Sequence, residues 1–378
     1  MRLKSPYLPL LFLALFIWGC ATVSRTASVR LNQMQVIGSH NSYHLRAYDS
    51  LRTMLATKNP LVAMGLDYTH VPLTEQFTRL GIRQIELDCF ADPDGGLYAH
   101  PKGVEWVAAA GLPPTPIHDP EGKLLKPGIK VLHVPDIDYC TTVLTLKDGL
   151  KEVVDWSKAH PAHVPIFVLI ELKEDQDSAL LTKPIRFGEK ELADLEAEIR
   201  SVVPREKILM PDDVRRGEPT LPDALRKFGW PGLDAVRGKI LFGMDNEGAV
   251  RDLYLQGHPA LEGKVLFVSV PATNAAAAWM KVNDPVGDFD HIQKLVGKGF
   301  LVRTRADSDT RQSRANDTSQ RDKAFASGAQ FISTDYREPN LKFSSYSVGF
   351  EGGQVARANP VSGTNLPLTM DLENPLKR

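Results

Sequence analysis

The chain reads as an α/β protein, a single TIM-type (β/α)8 barrel carrying one long loop insertion after its second strand. Three observations predict this. Eight apolar runs rich in Val, Ile, Leu and Phe alternate with polar, helix-like segments. The runs are continuous rather than alternating, as strands buried on both faces of a parallel sheet require. At 378 residues the chain has room for one barrel, about 250 residues before insertions.

The runs fall at residues 35–39, 84–89, 131–134, 166–171, 239–244, 265–270, 301–305 and 330–334. Between them, residues 189–200 (EKELADLEAEIR), 221–228, 291–296 and 319–326 carry helical periodicity or capping residues and are expected as outer-ring helices. Residues 104–130 contain Pro113, Pro114, Pro116, Pro120 and Pro127. That density is too high for a regular element and predicts an excursion over the barrel mouth, a lid or substrate-contact loop. From about residue 343 the chain holds Gly352-Gly353 and several prolines with no strong period. The expected organisation is therefore a barrel over residues 27–345 and a tail, 346–378, packed across it.

Residues 1–20 stand apart. Arg2 and Lys4 precede an apolar run from Leu10 to Trp18 that ends at Gly19-Cys20. The run is short for a membrane span and reads as a secretory signal. Ile17-Trp18-Gly19-Cys20 resembles a bacterial lipoprotein cleavage box, which predicts lipidation of Cys20 as the first mature residue. Trp18 replaces the small residue usual there, and a plain signal peptide is the alternative. Either way the expectation is an exported protein, held by a lipid chain at a membrane surface of a bacterial cell envelope or free in the periplasm or medium. Cys89 and Cys140 remain, and their pairing or their persistence as buried thiols are both open at this level.

Composition excludes other classes. A hydrophobic fraction of 43% and a charged fraction of 24% are those of a globular chain, so disorder and fibrous repeats are ruled out. With a net charge of −1 there is no broad basic face for a nucleic acid backbone. A monomer is expected.

In such a barrel the reacting groups gather at the C-terminal ends of the strands. There the sequence places His40 and Asn41 after the first run, Glu86 and Asp88 in the second, His133 in the third, and Glu171 and Lys173 at the fourth. Residues two apart on a strand share a side, so Glu86 and Asp88 project together, as do Glu171 and Lys173. Asn41, Glu86, Asp88 and Glu171 form an all-oxygen donor set, which favours Ca²⁺ or Mg²⁺ over zinc, and Ca²⁺ in an exported protein. The Glu-Leu-Asp triplet alone reads equally well as structural charges paired with Lys or Arg. Four oxygen donors together with two histidines do not. His40 and His133, standing across that cluster, provide one group for each side of a proton transfer. His44, His100, His118 and His163 lie in loops or helix approaches and are assigned no role.

The ordered set SHNSY, IELDCF, LHVPDID and FVLIELK resembles the calcium-dependent phosphoinositide-specific phospholipase C family of bacterial type. The likeness extends over nearly all the mature chain, including LVRTRAD, FISTDY and YSVGFEGG. It implies a phospholipase C-like phosphodiesterase barrel, His40 and His133 as catalytic histidines, and Asn41, Glu86, Asp88 and Glu171 as calcium ligands. Lys173, Arg305 and Tyr336 fall at strand ends where the family binds inositol and its phosphate. The implied reaction is attack of the inositol 2-hydroxyl on the phosphodiester of phosphatidylinositol or a related compound, with Glu86 or another metal-bound carboxylate accepting the proton. Diacylglycerol and an inositol cyclic phosphate result. The long insertion between IELDCF and LHVPDID departs from the family pattern and leaves His100 as a rival to His133. Glycerophosphodiester phosphodiesterases share the paired histidines and carboxylates but carry Arg-Gly after the first histidine, where this chain has Asn41. A third reading is a non-catalytic surface lipoprotein that binds a sugar phosphate.

Overall fold

The computed structural model describes residues 29–174 and 181–374; Cys20 and the rest of the signal-like segment lie outside them. Ten strands are present among the described residues: β1 (Met34–Ser39), β2 (Gln84–Phe90), β3 (Lys130–Val131), β4 (Ile166–Leu172), β5 (Ile240–Met244), β6 (Leu266–Val268), β7 (Trp279–Lys281), β8 (Leu301–Arg305), β9 (Phe331–Thr334) and β10 (Ala356–Ala358). Eight of them form a parallel sheet in the order β6-β5-β4-β2-β1-β9-β8-β7. Its two ends meet at a single parallel bridge between Ser269 and Trp279, so the sheet is a nearly closed barrel.

Seven of the eight runs expected from the sequence are barrel strands; the eighth expectation is corrected. Residues 131–134 do not enter the barrel. Lys130 and Val131 instead pair antiparallel with the outer end of β2, opposite Phe90 and Cys89. The missing strand is β7, whose three residues follow the fully buried alanines Ala276, Ala277 and Ala278. An alanine run has high helical propensity and no β-branched signature, so local pattern hides a strand that only barrel closure stabilises.

Residues 104–130 also need correction. Their first part belongs to a helix, Lys102–Ala109, which stops before the prolines begin at Pro113. The excursion after β2 has its own small core, in which Leu51, Phe90, Tyr98, Val107, Leu132 and Tyr139 pack together. That core fixes where the excursion returns to the barrel, and so where His133 is delivered.

The main strands are buried along their length, which accounts for their continuous apolar character. Inside the barrel the Phe167 ring lies 4.6 Å from that of Phe331 and 5.3 Å from that of Trp279, filling the space between β4, β9 and β7. Gly243 on β5 makes room for it, since a Cβ there would stand 2.4 Å from Phe167 Cζ. Outside, the helix Glu189–Val202 buries Leu192, Leu195 and Ile199 on one stripe, and Leu146–Ala159 is capped by Thr145, whose hydroxyl accepts from the Asp148 amide at 3.1 Å.

The chain beyond residue 346 returns to the barrel's lower end. β10 pairs antiparallel with Met34–Val36, where β1 has parted from β2, whose single register pair with β1 is Gly38 with Gln84. Glu373 then forms an ion pair with the buried Arg83 just before β2.

Candidate active site

The site is built at the upper ends of β1, β2, β4, β8 and β9. After β1 the backbone turns through Asn41 at φ +43°, a left-handed conformation that asparagine tolerates better than most residues. The turn buries the Asn41 amide: its Nδ2 donates to the Tyr68 hydroxyl at 3.1 Å, and its Oδ1 has no hydrogen-bond partner.

Beside it, His40 Nδ1 lies 2.8 Å from Asp335 Oδ1, and both terminal nitrogens of Arg305 approach the ring at 3.3 Å. Because a carboxylate only accepts, His40 donates from Nδ1, and its Nε2 accepts from Arg305 Nη1 at 3.3 Å. Burial first, and the Arg305 charge second, lower the His40 pKa to about 3. Burial alone would raise the Asp335 carboxyl, but His40 and Arg305 outweigh it and hold it below the ordinary carboxylate range.

Glu86 and Asp88 project together from β2, and register pairs Asp88 with Glu171 on β4. One oxygen from each of Glu86, Asp88 and Glu171 lies within 4.8 Å of the others. Glu86 is held by Arg303 at 2.5 Å; the Lys173 ammonium lies 3.2 Å from Asp88 and 3.1 Å from Glu171. Burial, opposed by Arg303, pushes Glu86 up to about 8, and burial, opposed by Lys173, pushes Asp88 up to about 7. Carboxylates this crowded resist ionising together unless a cation joins them. Asp88 Oδ1 and Asn41 Oδ1 are buried oxygens accepting no hydrogen bond, so the cluster also offers unused lone pairs. The three carboxylates therefore fit a hard divalent cation, and the unpartnered Asn41 amide oxygen is of the donor type such an ion takes.

His133 arrives on a tight turn in which Val134 and Asp138 exchange backbone hydrogen bonds. Its Nδ1 lies 2.7 Å from Asp138 Oδ2, leaving Nε2 for the cavity. His40, Asn41, Tyr68, His133, Arg305 and Asp335 share one cavity of about 360 Å³, whose rim carries Leu61 and Val62. The carboxylate cluster is linked to it through His40 Nε2, 3.9 Å from Glu86 Oε1.

Tyr336 is not in this cavity. It is buried, packs edge-on against Tyr346 and Phe343, and borders a neighbouring cleft that shares Tyr68 and Asp335 with the site. Lys173 is engaged with carboxylates rather than presented to the cavity. Sequence reasoning passed over Arg303, Asp335 and Asp138. Each had a signal: Arg303 is two residues before Arg305 on β8, Asp335 directly follows β9, and Asp138 closes the LHVPDID motif. Lys281, paired with Asp245 at 2.6 Å, was lost with the strand that carries it.

A family model described as calcium-dependent phosphoinositide phospholipase C matches residues 29–360. The chain belongs to this family. It is thus a phosphodiesterase of a calcium-dependent phospholipase C family whose substrates are phosphoinositides. No curated protein sequence matches the chain. Among solved structures, similarity is found to a calcium-dependent phosphoinositol-specific phospholipase C from Pseudomonas sp., at 16% identity over 88% of this chain and 96% of that one, with a TM-score of 0.49. A calcium-dependent phosphatidylinositol-specific phospholipase C from Streptomyces antibioticus gives 16% identity over 82% and 96%, TM-score 0.49. A glycerophosphoryl diester phosphodiesterase from Parabacteroides distasonis gives 11% identity over 80% and 84%, TM-score 0.31. Cys89 and Cys140 are both buried free thiols in this phospholipase C family member.

Proposed function

We propose that the protein cleaves phosphatidylinositol, or a closely related inositol phosphodiester, by attack of the inositol 2-hydroxyl, releasing diacylglycerol and an inositol cyclic phosphate. The observation that carries this reading is one cavity holding two histidines, each held by its own aspartate, and an orphaned amide oxygen, joined through His40 to a cluster of three carboxylates, two of them buried. Asn41, Glu86, Asp88 and Glu171 would hold Ca²⁺, and the chemistry a bound calcium supplies is Lewis-acid polarisation of a hydroxyl and a phosphoryl oxygen.

The chain's own groups do the rest. An internal nucleophile needs little more than orientation, charge neutralisation and proton transfer. Arg303 engages Glu86 Oε2, leaving Oε1, the oxygen nearer His40, as the acceptor of the hydroxyl proton. His40 is fixed beside the phosphoryl position by Asp335 at Nδ1, and the Arg305 guanidinium against its ring offsets the phosphate charge. His133 presents Nε2 as proton donor to the departing alkoxide, and Asp138 holds the ring by its other nitrogen.

The rim supports a lipid substrate: Leu61 is 73% exposed and Val62 41%, both beside His40. No helix among the described residues is long and apolar enough to cross a membrane. Export and a lipid anchor on Cys20 belong to the same proposal, supported by the basic-then-apolar residues 1–20.

Product analysis tests the reading. Phosphatidylinositol and glycerophosphocholine are supplied separately, with calcium and with a chelator. Diacylglycerol and inositol phosphate from the first substrate only, lost on chelation, are expected. Release of choline or glycerol from the second alone would replace the proposal with a glycerophosphodiesterase.

A further inference from the structure

We propose that His44, which the reaction does not touch, is a positioning residue for His133, acting through Asp138. The inference rests on the phospholipase reading above. A single carboxylate oxygen, Asp138 Oδ2, receives both rings: His133 Nδ1 at 2.7 Å and His44 Nε2 at 2.9 Å. His44 and Asp138 are completely buried, whereas His133 is 21% exposed at the cavity. The second oxygen of Asp138 accepts no hydrogen bond, so these two imidazoles are what fixes the carboxylate's rotation.

His44 is itself held on several sides. Its ring stacks on Tyr68 with centroids 4.2 Å apart and planes at 23°, and the Tyr68 hydroxyl accepts from the Asn41 amide. Its backbone N–H donates to the Asn41 carbonyl at 2.8 Å, and its own carbonyl accepts from His70. A continuous series of contacts thus runs from the proposed calcium ligand Asn41 through Tyr68 and His44 to Asp138 and His133. Since Asp138 only accepts, His44 must donate from Nε2; it sets the angle at which the carboxylate meets His133 and hence the direction of the His133 Nε2 proton.

The prediction concerns leaving groups. Phosphatidylinositol departs as an alkoxide that needs a proton, whereas a p-nitrophenyl phosphodiester of myo-inositol departs as a phenolate that does not. His44→Phe keeps the ring on Tyr68 and removes the donor. Its kcat on phosphatidylinositol should fall roughly tenfold to a hundredfold with KM unchanged, a part of what general acid catalysis contributes, while the p-nitrophenyl substrate loses less than about threefold. His44→Gln, which retains an N–H donor, should recover most of the loss. Equal losses on both substrates, or no loss on either, overturn the proposal. If His44→Phe does not fold by circular dichroism, the same substrate ratio in His44→Leu decides by the same criterion. A wild-type protein inactive on both substrates would instead bring down the phospholipase reading, and with it this inference.

Discussion

Each of the two proposed catalytic histidines is oriented by the aspartate that its Nδ1 touches. His40 and His133 both spend Nδ1 on an aspartate, Asp335 and Asp138. The two rings differ in neighbour: Arg305 lies against His40, a second histidine behind Asp138. Replacing His40 or His133 by alanine should reduce turnover of phosphatidylinositol by roughly a hundredfold or more, the usual size of an acid–base contribution. Steady-state kinetics on the folded variants checks this, and an unchanged rate at either position removes that residue from the mechanism. The partner of His40 lies 295 positions further along the chain and is not legible from the strand end, whereas Asp138 stands only five positions after His133.

At the level of elements, the barrel strands were legible where they are long. β1, β2 and β4 have six or seven buried residues each and announce themselves as apolar runs. β6 and β7 are only three residues long, and β7 was hidden behind its alanines. What holds such short strands is interior packing, with the Trp279 ring of β7 resting against Phe167. Gly243→Ala tests that packing. The added Cβ would strike the Phe167 ring, and overpacking of this kind costs about 1–3 kcal/mol. Urea unfolding should show a lower midpoint with unchanged slope; a midpoint equal to wild type would mean that the ring moves freely.

For the whole molecule, stability has a pH dependence separable from the site. His163 is buried beneath Trp156, its Nδ1 2.6 Å from the Val164 carbonyl and its Nε2 2.8 Å from the Ser157 hydroxyl. Burial lowers its pKa from 6.5 to about 4. Below 6.5 the unfolded chain takes up a proton that the folded chain refuses, so stability contributed here is complete above 6.5, falls as pH drops, and stops falling near 4. The slope in that window is at most about 1.4 kcal/mol per pH unit for one group. His163→Gln should flatten the wild-type slope between pH 6.5 and 4 by most of that amount, measured by urea unfolding at several pH values. Identical slopes would show that His163 titrates alike in both states.

The local alphabet of this chain was enough to determine the barrel class, the strand ends that carry His40, Asn41, Glu86, Asp88 and Glu171, and the hard-cation character of their donors, because strand periodicity and ligand chemistry are short-range properties. Three features were decided only in three dimensions. The excursion after β2 folds over its own small core and returns to β2 just before His133, where the Leu132 N–H donates to the Asp88 carbonyl at 3.3 Å, without supplying a barrel strand. The closing strand β7 exists because the sheet must close, whatever its alanine-rich approach prefers. Asp335 and Arg303 became part of the site because long-range packing set a buried charge beside each partner, and a buried charge without a partner is too costly for the fold to keep.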